Sequence, residues 1–290
     1  MIVVIGEHGQ LASSFKEISK LETLFINSSQ LDLRDTKEII PFLTRYAMNA
    51  SVIVNFSAYN LVDSAEKYPT ESNLINHLAP GEIAKFCDRH SKALIHFSSD
   101  YVFNGEKDKP YSEDDLTGPL NIYGQTKLDG EKAIKELCSQ FLIIRTSTLY
   151  DLNFSRSSFV SKIIKSLDEN QRIFGANDIF SSPTYVQDLA EITLEILQNS
   201  LDLINGDILH ITNSGYVSRY NFIKEIYNFY KEINKNISCE ITEVSNDYFN
   251  LPAQRPNFSA LSNKKAEKLI GKKFPSWQES LYKCLRKTTW

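Results

Sequence analysis

The stretch Ile2-Val3-Val4-Ile5-Gly6-Glu7-His8-Gly9-Gln10-Leu11-Ala12 decides the fold. Its unbroken apolar run reads as a buried strand, since a half-exposed strand would alternate apolar with polar residues. Gly6 and Gly9, with Ala12 in the third small position, follow the run directly and open a segment of helical period. Glycine there lets the chain turn tightly and lets backbone N–H groups approach a pyrophosphate at the helix N-terminus. The G-x-x-G-x-x-A spacing alone also arises from close helix-on-strand packing. Its place after the first strand makes dinucleotide binding the stronger reading.

The same rhythm continues outward. Thr23–Ile26, Ser51–Val54, Ala93–Phe97 and Phe141–Ile144 read as further strands. Between them, Leu11–Leu21, Asp35–Ala47, Ser72–His90 and Ile122–Leu137 carry apolar residues at helical spacing with charges interleaved. Strands alternating with helices imply an α/β fold, a Rossmann-type doubly wound parallel sheet. After residue 150 the rhythm loosens, although Val186–Gln198, Arg219–Ile233, Lys264–Ile270 and Trp277–Leu285 read as helices. The expected organisation is a dinucleotide-binding domain over 1–150, with part of 185–215 returning to it, and a smaller mixed α/β substrate-binding lobe, mainly 151–290. The polar stretch Asn246–Ser259, with Pro252 and Pro256, reads as an irregular crossing segment.

Composition narrows the function. With 290 residues, a formal net charge of -4 and dispersed lysines and arginines, the chain offers no footprint for nucleic acid. No apolar run is long enough for a membrane span, and residues 2–5 read as a strand rather than a leader, so no membrane is expected. Cys87, Cys138, Cys239 and Cys284 lack paired spacing, and the five histidines form no metal-binding motif. Reduced thiols, no catalytic metal and a cytoplasmic location are the expectations, with a homodimer kept as the assembly to test.

The strongest chemical signal is Tyr123-Gly124-Gln125-Thr126-Lys127. Residues four apart share a helix face, which sets a phenol beside an ammonium. A nearby positive charge favours phenolate and would bring the group toward acid–base work near neutral pH. The strand Ala93–Phe97 runs into Ser98-Ser99-Asp100-Tyr101, and ligands of open parallel sheets bind beyond the carboxyl ends of the strands. Ser99 is therefore assigned to the site beside Tyr123. Ser98, pointing the other way, is left to strand-end hydrogen bonding. Asp100 reads equally as a turn cap or as a carboxylate holding a sugar hydroxyl. Where an acid ending the second strand would select a ribose 2′-OH, this chain has Asn27-Ser28-Ser29, so NADH and NADPH both stay open. Asp32 and Leu33 face either the adenine or solvent.

Taken together, Gly6-x-x-Gly9-Gln10-Leu11, Val54-Asn55-Phe56-Ser57-Ala58-Tyr59, Val62-Asp63-x-Ala65-Glu66 and Ser98-Ser99-Asp100-Tyr101-Val102-Phe103 resemble the dTDP-4-dehydrorhamnose reductase family of extended short-chain dehydrogenases. Pro119-Leu120-Asn121-x-Tyr123-Gly124-x-Thr126-Lys127-Leu128-x-Gly130-Glu131 resembles that family's helix almost residue for residue. Arg145-Thr146-Ser147, Ser182-Pro183-Thr184, Arg255-Pro256 and Trp277 follow in order, so the resemblance spans essentially the whole chain.

The resemblance implies NADPH or NADH as cofactor. Gly6, Gly9, Gln10 and Leu11 would lie at its phosphates, Asp32 and Leu33 near its adenine, and Phe56, Ser57 and Ala58 beneath it. Ser99 and Asp100 would face the sugar, Tyr123 would protonate the C4 carbonyl oxygen, and Lys127 would support both ligands. The implied substrate is a nucleotide sugar, dTDP-4-dehydrorhamnose going to dTDP-L-rhamnose. The chain departs from the family at substrate-binding Thr148, where Trp is common, and at Asp151–Phe159, which lacks a glycine-rich turn, so an altered sugar pocket is expected. The family's Thr is Ser99 here, which keeps the hydroxyl. A sugar-nucleotide dehydratase is disfavoured because Tyr101, not an acid, follows Asp100. Such a fold would also suit a reductase of a different nucleotide-4-keto sugar, or a non-catalytic NADP-binding regulatory subunit resembling that of methionine adenosyltransferase.

Overall fold

The computed structural model describes residues 1–152, 158–234 and 237–287. Its centre is a six-stranded sheet in the order β10-β5-β4-β3-β1-β2, formed by β1 (Ile2–Ile5), β2 (Thr23–Ile26), β3 (Val52–Asn55), β4 (Ala93–Ser99), β5 (Phe141–Thr146) and β10 (Asp207–His210). Every pairing in it is parallel. Alternate residues of each strand enter opposite cores. Val4, Val54, Ile95 and Ile144 pack on one face, and Val3, Ile53, Leu94 and Ile143 on the other. Burial on both faces is why these strands read as continuous apolar runs. The chain order reverses between β1 and β3, and a crevice opens at the carboxyl ends of strands at such a switch point.

The covering helices of the first half are α1 (Gln10–Ile18), α2 (Thr36–Tyr46), α3 (Val62–Lys67), α4 (Pro69–Asn73), α5 (Ala79–Arg89) and α6 (Ile122–Leu137). The single helix expected over 72–90 is instead α4, a π-turn at Leu74–Leu78, and α5. π-turns interrupt α-helices most often at functional sites. Here the turn carries Asn76, whose side chain accepts from Tyr59 N–H (2.9 Å) and donates to Tyr59 C=O (3.0 Å), holding the loop that follows β3. The six-residue α3 is too short to show a period and was not expected.

The later part holds β6 (Leu149–Tyr150), α7 (Phe159–Asp168), β7 (Ile173–Ala176), β8 (Phe180–Ser181), β9 (Thr184–Tyr185), α8 (Val186–Asn199), β11 (Val217–Ser218), α9 (Arg219–Ile233), β12 (Ile241–Val244), α10 (Lys264–Ile270) and α11 (Trp277–Arg286). Strands β6–β9, β7–β12 and β8–β11 form two-stranded ladders. Helix α8 packs on α1 and contributes Leu189, Ile192 and Ile196 to the core beneath the sheet. Strand β10 was not legible, because four residues bounded by Asp207 and His210 give no apolar run. Its pairing with β5 at the sheet edge is what defines it. Helix α7, also unforeseen, is capped by Ser158, which accepts from Ser161 N–H (3.2 Å). No helix among the described residues is long and apolar enough to cross a membrane.

Candidate active site

A cleft of about 620 Å³ runs over the carboxyl ends of β1 to β5, and its lining comes entirely from residues between Ile5 and Leu149. The structure brings every residue singled out from the sequence to this one wall: Gly6, Gly9, Gln10 and Leu11 at the first turn, Asp32 and Leu33 after β2, Phe56, Ser57 and Ala58 after β3, and Ser99, Asp100, Tyr123, Lys127 and Thr148 at the far end. Gly6 is needed for two reasons. Its φ is +100°, and a Cβ there would stand 2.7 Å from Ser57 Oγ. The turn is pinned by Gly6 N–H and Glu7 N–H, which both donate to Ile26 C=O (2.9 and 3.1 Å).

These residues fit a dinucleotide. The buried oxygens Gln10 Oε1 and Thr146 Oγ1 line the cleft and have no hydrogen-bond partner within the protein. Buried polar atoms are almost always satisfied, so an unpaired amide oxygen beside the glycine turn and an unpaired hydroxyl at the end of β5 mark a surface made for a polar ligand. The first turn of α1 supplies the backbone N–H groups that suit a pyrophosphate.

At the other end, α6 presents Tyr123 and Lys127. Its start is fixed by Asn121, whose Oδ1 accepts from Gly124 N–H (2.8 Å), and by Glu66, which accepts from Ile122 N–H (2.8 Å). Gly124 permits the approach to the strand end, because a Cβ there would lie 2.1 Å from Tyr101 O. Tyr123 and Ser99 line the cleft together, and Ser99 Oγ accepts from Tyr101 N–H (3.2 Å) and donates to Asp100 Oδ1 (3.1 Å). Ser98 does point away, donating to Glu131 Oε1 (2.5 Å) on the opposite face.

Two expectations are corrected by these contacts. Lys127 does not lower the Tyr123 phenol: burial pushes the phenol up to about 12, only partly offset by the Ser99 hydroxyl. The ammonium is committed elsewhere, donating to Phe97 C=O at 2.6 Å, and burial lowers it to about 8. Asp100, for its part, lies in the wall, but its carboxylate is taken by Ser99, Ser147 (2.7 Å) and Ser259 (2.6 Å). Burial still holds it above the ordinary carboxylate range. It knots the ends of β4 and β5 to the crossing segment rather than presenting an empty carboxylate to a sugar.

Below the site lies a fully buried ion pair, Arg145 Nη2 to Glu131 Oε2 at 2.7 Å, with Arg145 Nε on Glu131 Oε1 at 2.9 Å. Thr148 stands at φ +39°, a left-handed conformation strained for a β-branched residue, with its hydroxyl donating to Ser181 Oγ (3.0 Å). Of the expected absence of a glycine-rich turn at 151–159, positions 153–157 lie outside the described residues. Sequence reasoning quoted Ser147 only within Arg145-Thr146-Ser147 and gave it no role, and it missed Ser259 and Arg34, a cleft-lining residue whose guanidinium grips Asp32 (Nη2 to Oδ2, 2.6 Å) and Glu71 (3.4 Å). The resemblance to Arg255-Pro256 was the one available signal for the segment carrying Ser259.

A doubly wound sheet with a glycine turn at one end of its cleft and a Ser, Tyr and helix-borne Lys at the other defines the extended short-chain dehydrogenase/reductase class. Within it, the chain belongs to the family whose model is described as RmlD substrate binding domain, matched over residues 1–290. It is 31% identical over 286 residues to a dTDP-4-dehydrorhamnose reductase of Sinorhizobium fredii, covering 96% of this chain and 94% of that protein. The Escherichia coli dTDP-4-dehydrorhamnose reductase is 31% identical over 241 residues, covering 82% and 80%. Among solved structures, the dTDP-4-dehydrorhamnose reductase of Bacillus anthracis in complex with NADP superposes with a TM-score of 0.89 at 28% identity, covering 99% of each chain. A dTDP-glucose 4,6-dehydratase from Streptomyces venezuelae shares the fold alone, with a TM-score of 0.77 at 14% identity.

Proposed function

We propose that this chain uses NADH or NADPH to reduce the C4 keto group of a nucleotide-linked 6-deoxy-4-keto sugar. Its relatives are named dTDP-4-dehydrorhamnose reductases, and we take that reduction, yielding dTDP-L-rhamnose for surface polysaccharide synthesis, as the first candidate. The observation that carries the reading is that Ser99, Tyr123 and Lys127 line the same cleft as a glycine turn suited to pyrophosphate.

The nicotinamide, when bound, supplies hydride to the sugar carbon. The remaining chemistry belongs to the chain. Tyr123 keeps its proton at neutral pH and gives it from Oη to the carbonyl oxygen as that oxygen gains charge. Ser99 Oγ stands beside the phenol in the cleft wall, and its O–H donates to Asp100 Oδ1, which fixes the hydroxyl's position. Lys127, on the next turn of α6, donates to Phe97 C=O at 2.6 Å and supplies a buried cation to the cofactor side of the cleft. Gly6, Gly9, Gln10 and Leu11 would hold the cofactor phosphates, Asp32 and Leu33 its adenosine end, and Phe56, Ser57 and Ala58 its lower edge. Residues 1–150, with part of 185–215, form the proposed nucleotide domain, and 151–290 the sugar-side lobe. A cytoplasmic homodimer is the proposed setting, tested by sedimentation of the intact chain.

Thr148 at the sugar end favours testing more than one substrate. The purified protein is to be incubated with NADH or NADPH and a panel of nucleotide 4-keto sugars, following loss of nicotinamide absorbance. Oxidation with the dTDP-linked 6-deoxy sugar is expected; oxidation with none would refute the reading.

A further inference from the structure

In folds of this kind, an acid about 20 residues beyond the glycine turn, at the end of the second strand, selects a ribose 2′-OH, and an arginine nearby accommodates a 2′-phosphate. This chain has Asn27 at that place, which by itself selects neither. The structure adds what the sequence conceals. Asn27 Nδ2 donates to Glu7 Oε2 at 3.1 Å, so a carboxylate from the glycine turn stands one hydrogen bond behind the end of β2. Asn27 lines the cleft, whereas Glu7 does not.

Glu7 is firmly an anion, because hydrogen bonds from Lys16 and Asn27 hold its carboxyl below the usual range. Lys16 Nζ, at 2.6 Å from Glu7 Oε1, is committed to it and lies outside the cleft lining. The other polar atoms at the end of β2 are neutral: Asn27 Oδ1 accepts from Ser29 N–H (3.0 Å) and Ser29 Oγ (2.6 Å), and Asn27 N–H donates to Gln30 Oε1 (3.0 Å). Among the described residues lining the cleft, the basic side chains are His8, Arg34 and Lys127. Lys127 is at the far end. Arg34 is bound by two carboxylates, Asp32 through its Nε and Nη2 and Glu71 through its Nη1. The adenosine end therefore carries three carboxylates, Glu7, Asp32 and Glu71, against the cations Lys16, paired with Glu7, and Arg34, paired with Asp32 and Glu71, with His8 beside the glycine turn.

We infer that Glu7, acting through Asn27, makes this chain prefer NADH to NADPH. Asn27 and Ser28, which both line the cleft, offer neutral polar groups to a ribose 2′-OH. A 2′-phosphate would bring about two further negative charges to a surface already in anionic excess, with Glu7 immediately behind. This rests on the dinucleotide reading of the cleft and specifies which dinucleotide.

The test is equilibrium binding of NADH and of NADPH to the intact purified chain without sugar, read from nicotinamide fluorescence. NADH is expected to bind about tenfold or more tightly at low ionic strength, the gap narrowing as salt screens the repulsion. Glu7→Gln, which can keep an Asn27 hydrogen bond but not the charge, should shrink the ratio, and Glu7→Lys should reverse it. NADPH bound as tightly as NADH overturns the inference, as does a preference that Glu7→Gln leaves unchanged. If Arg34→Ala selectively abolishes a strong NADPH affinity, Arg34 rather than Glu7 governs the choice and the inference is likewise overturned. Binding of neither nucleotide refutes the dinucleotide reading itself, a result distinct from equal binding of both.

Discussion

Replacing Lys127 with Met is expected to stabilise the protein at neutral pH while depriving the site of its cation. Lys127 is 1% exposed, and burial brings its ammonium from 10.5 to about 8. At about 1.4 kcal/mol per pH unit, the charged lysine therefore opposes folding by ~3 kcal/mol at pH 7. Methionine fills much of the same space without charge. It also leaves Phe97 C=O without its 2.6 Å partner, and an unsatisfied buried acceptor offsets about 1–3 kcal/mol of the gain. The expected balance is about 0–2 kcal/mol in favour of the variant. The folded chain releases this proton near pH 8 and the unfolded chain near 10.5, so wild-type stability rises relative to the variant across that window. Urea denaturation of both proteins at about pH 7 and about pH 9.5 reads the difference directly. A variant less stable than wild type at neutral pH, or a difference that does not change with pH, refutes the burial cost assigned to Lys127.

Other outcomes follow from the same contacts. Tyr123→Phe should lower turnover about 100- to 10,000-fold by removing proton transfer, while nicotinamide fluorescence still reports bound nucleotide. Gly6→Ala places a Cβ 2.7 Å from Ser57 Oγ at a φ of +100° and should abolish nucleotide binding in calorimetry. Glu131→Ala leaves Arg145 buried and unpaired, and denaturation should show a loss of about 3–5 kcal/mol. Thr148→Asn should raise stability by about 0.5–1 kcal/mol in the same measurement, because Asn accepts the left-handed backbone that a β-branched residue resists.

The first half of this molecule was legible because its strands are buried on both faces and its helices on one, so both periods survive in the sequence. The cleft residues were legible for a related reason: they stand at strand ends and on one face of α6, positions that spacing alone can locate. What escaped has a physical pattern too. Strand β10 depends on a partner strand for its identity, and α3 is too short to display a period. Ser147 and Ser259 meet only at Asp100, a convergence across the fold that no local spacing encodes. The Tyr123–Lys127 pair shows the limit most plainly. Four-residue spacing correctly put both side chains in one cleft, but burial and the Phe97 carbonyl, both tertiary, decided their protonation.

The central claim is hydride transfer to sugar C4 coupled to proton donation by Tyr123, and isotope transfer tests it most directly. With a nicotinamide cofactor deuterated at C4 and dTDP-4-dehydrorhamnose, the intact chain should yield a product carrying deuterium at sugar C4, with Tyr123→Phe yielding almost none. A deuterium-free product, or equal labelling by the variant, would contradict it.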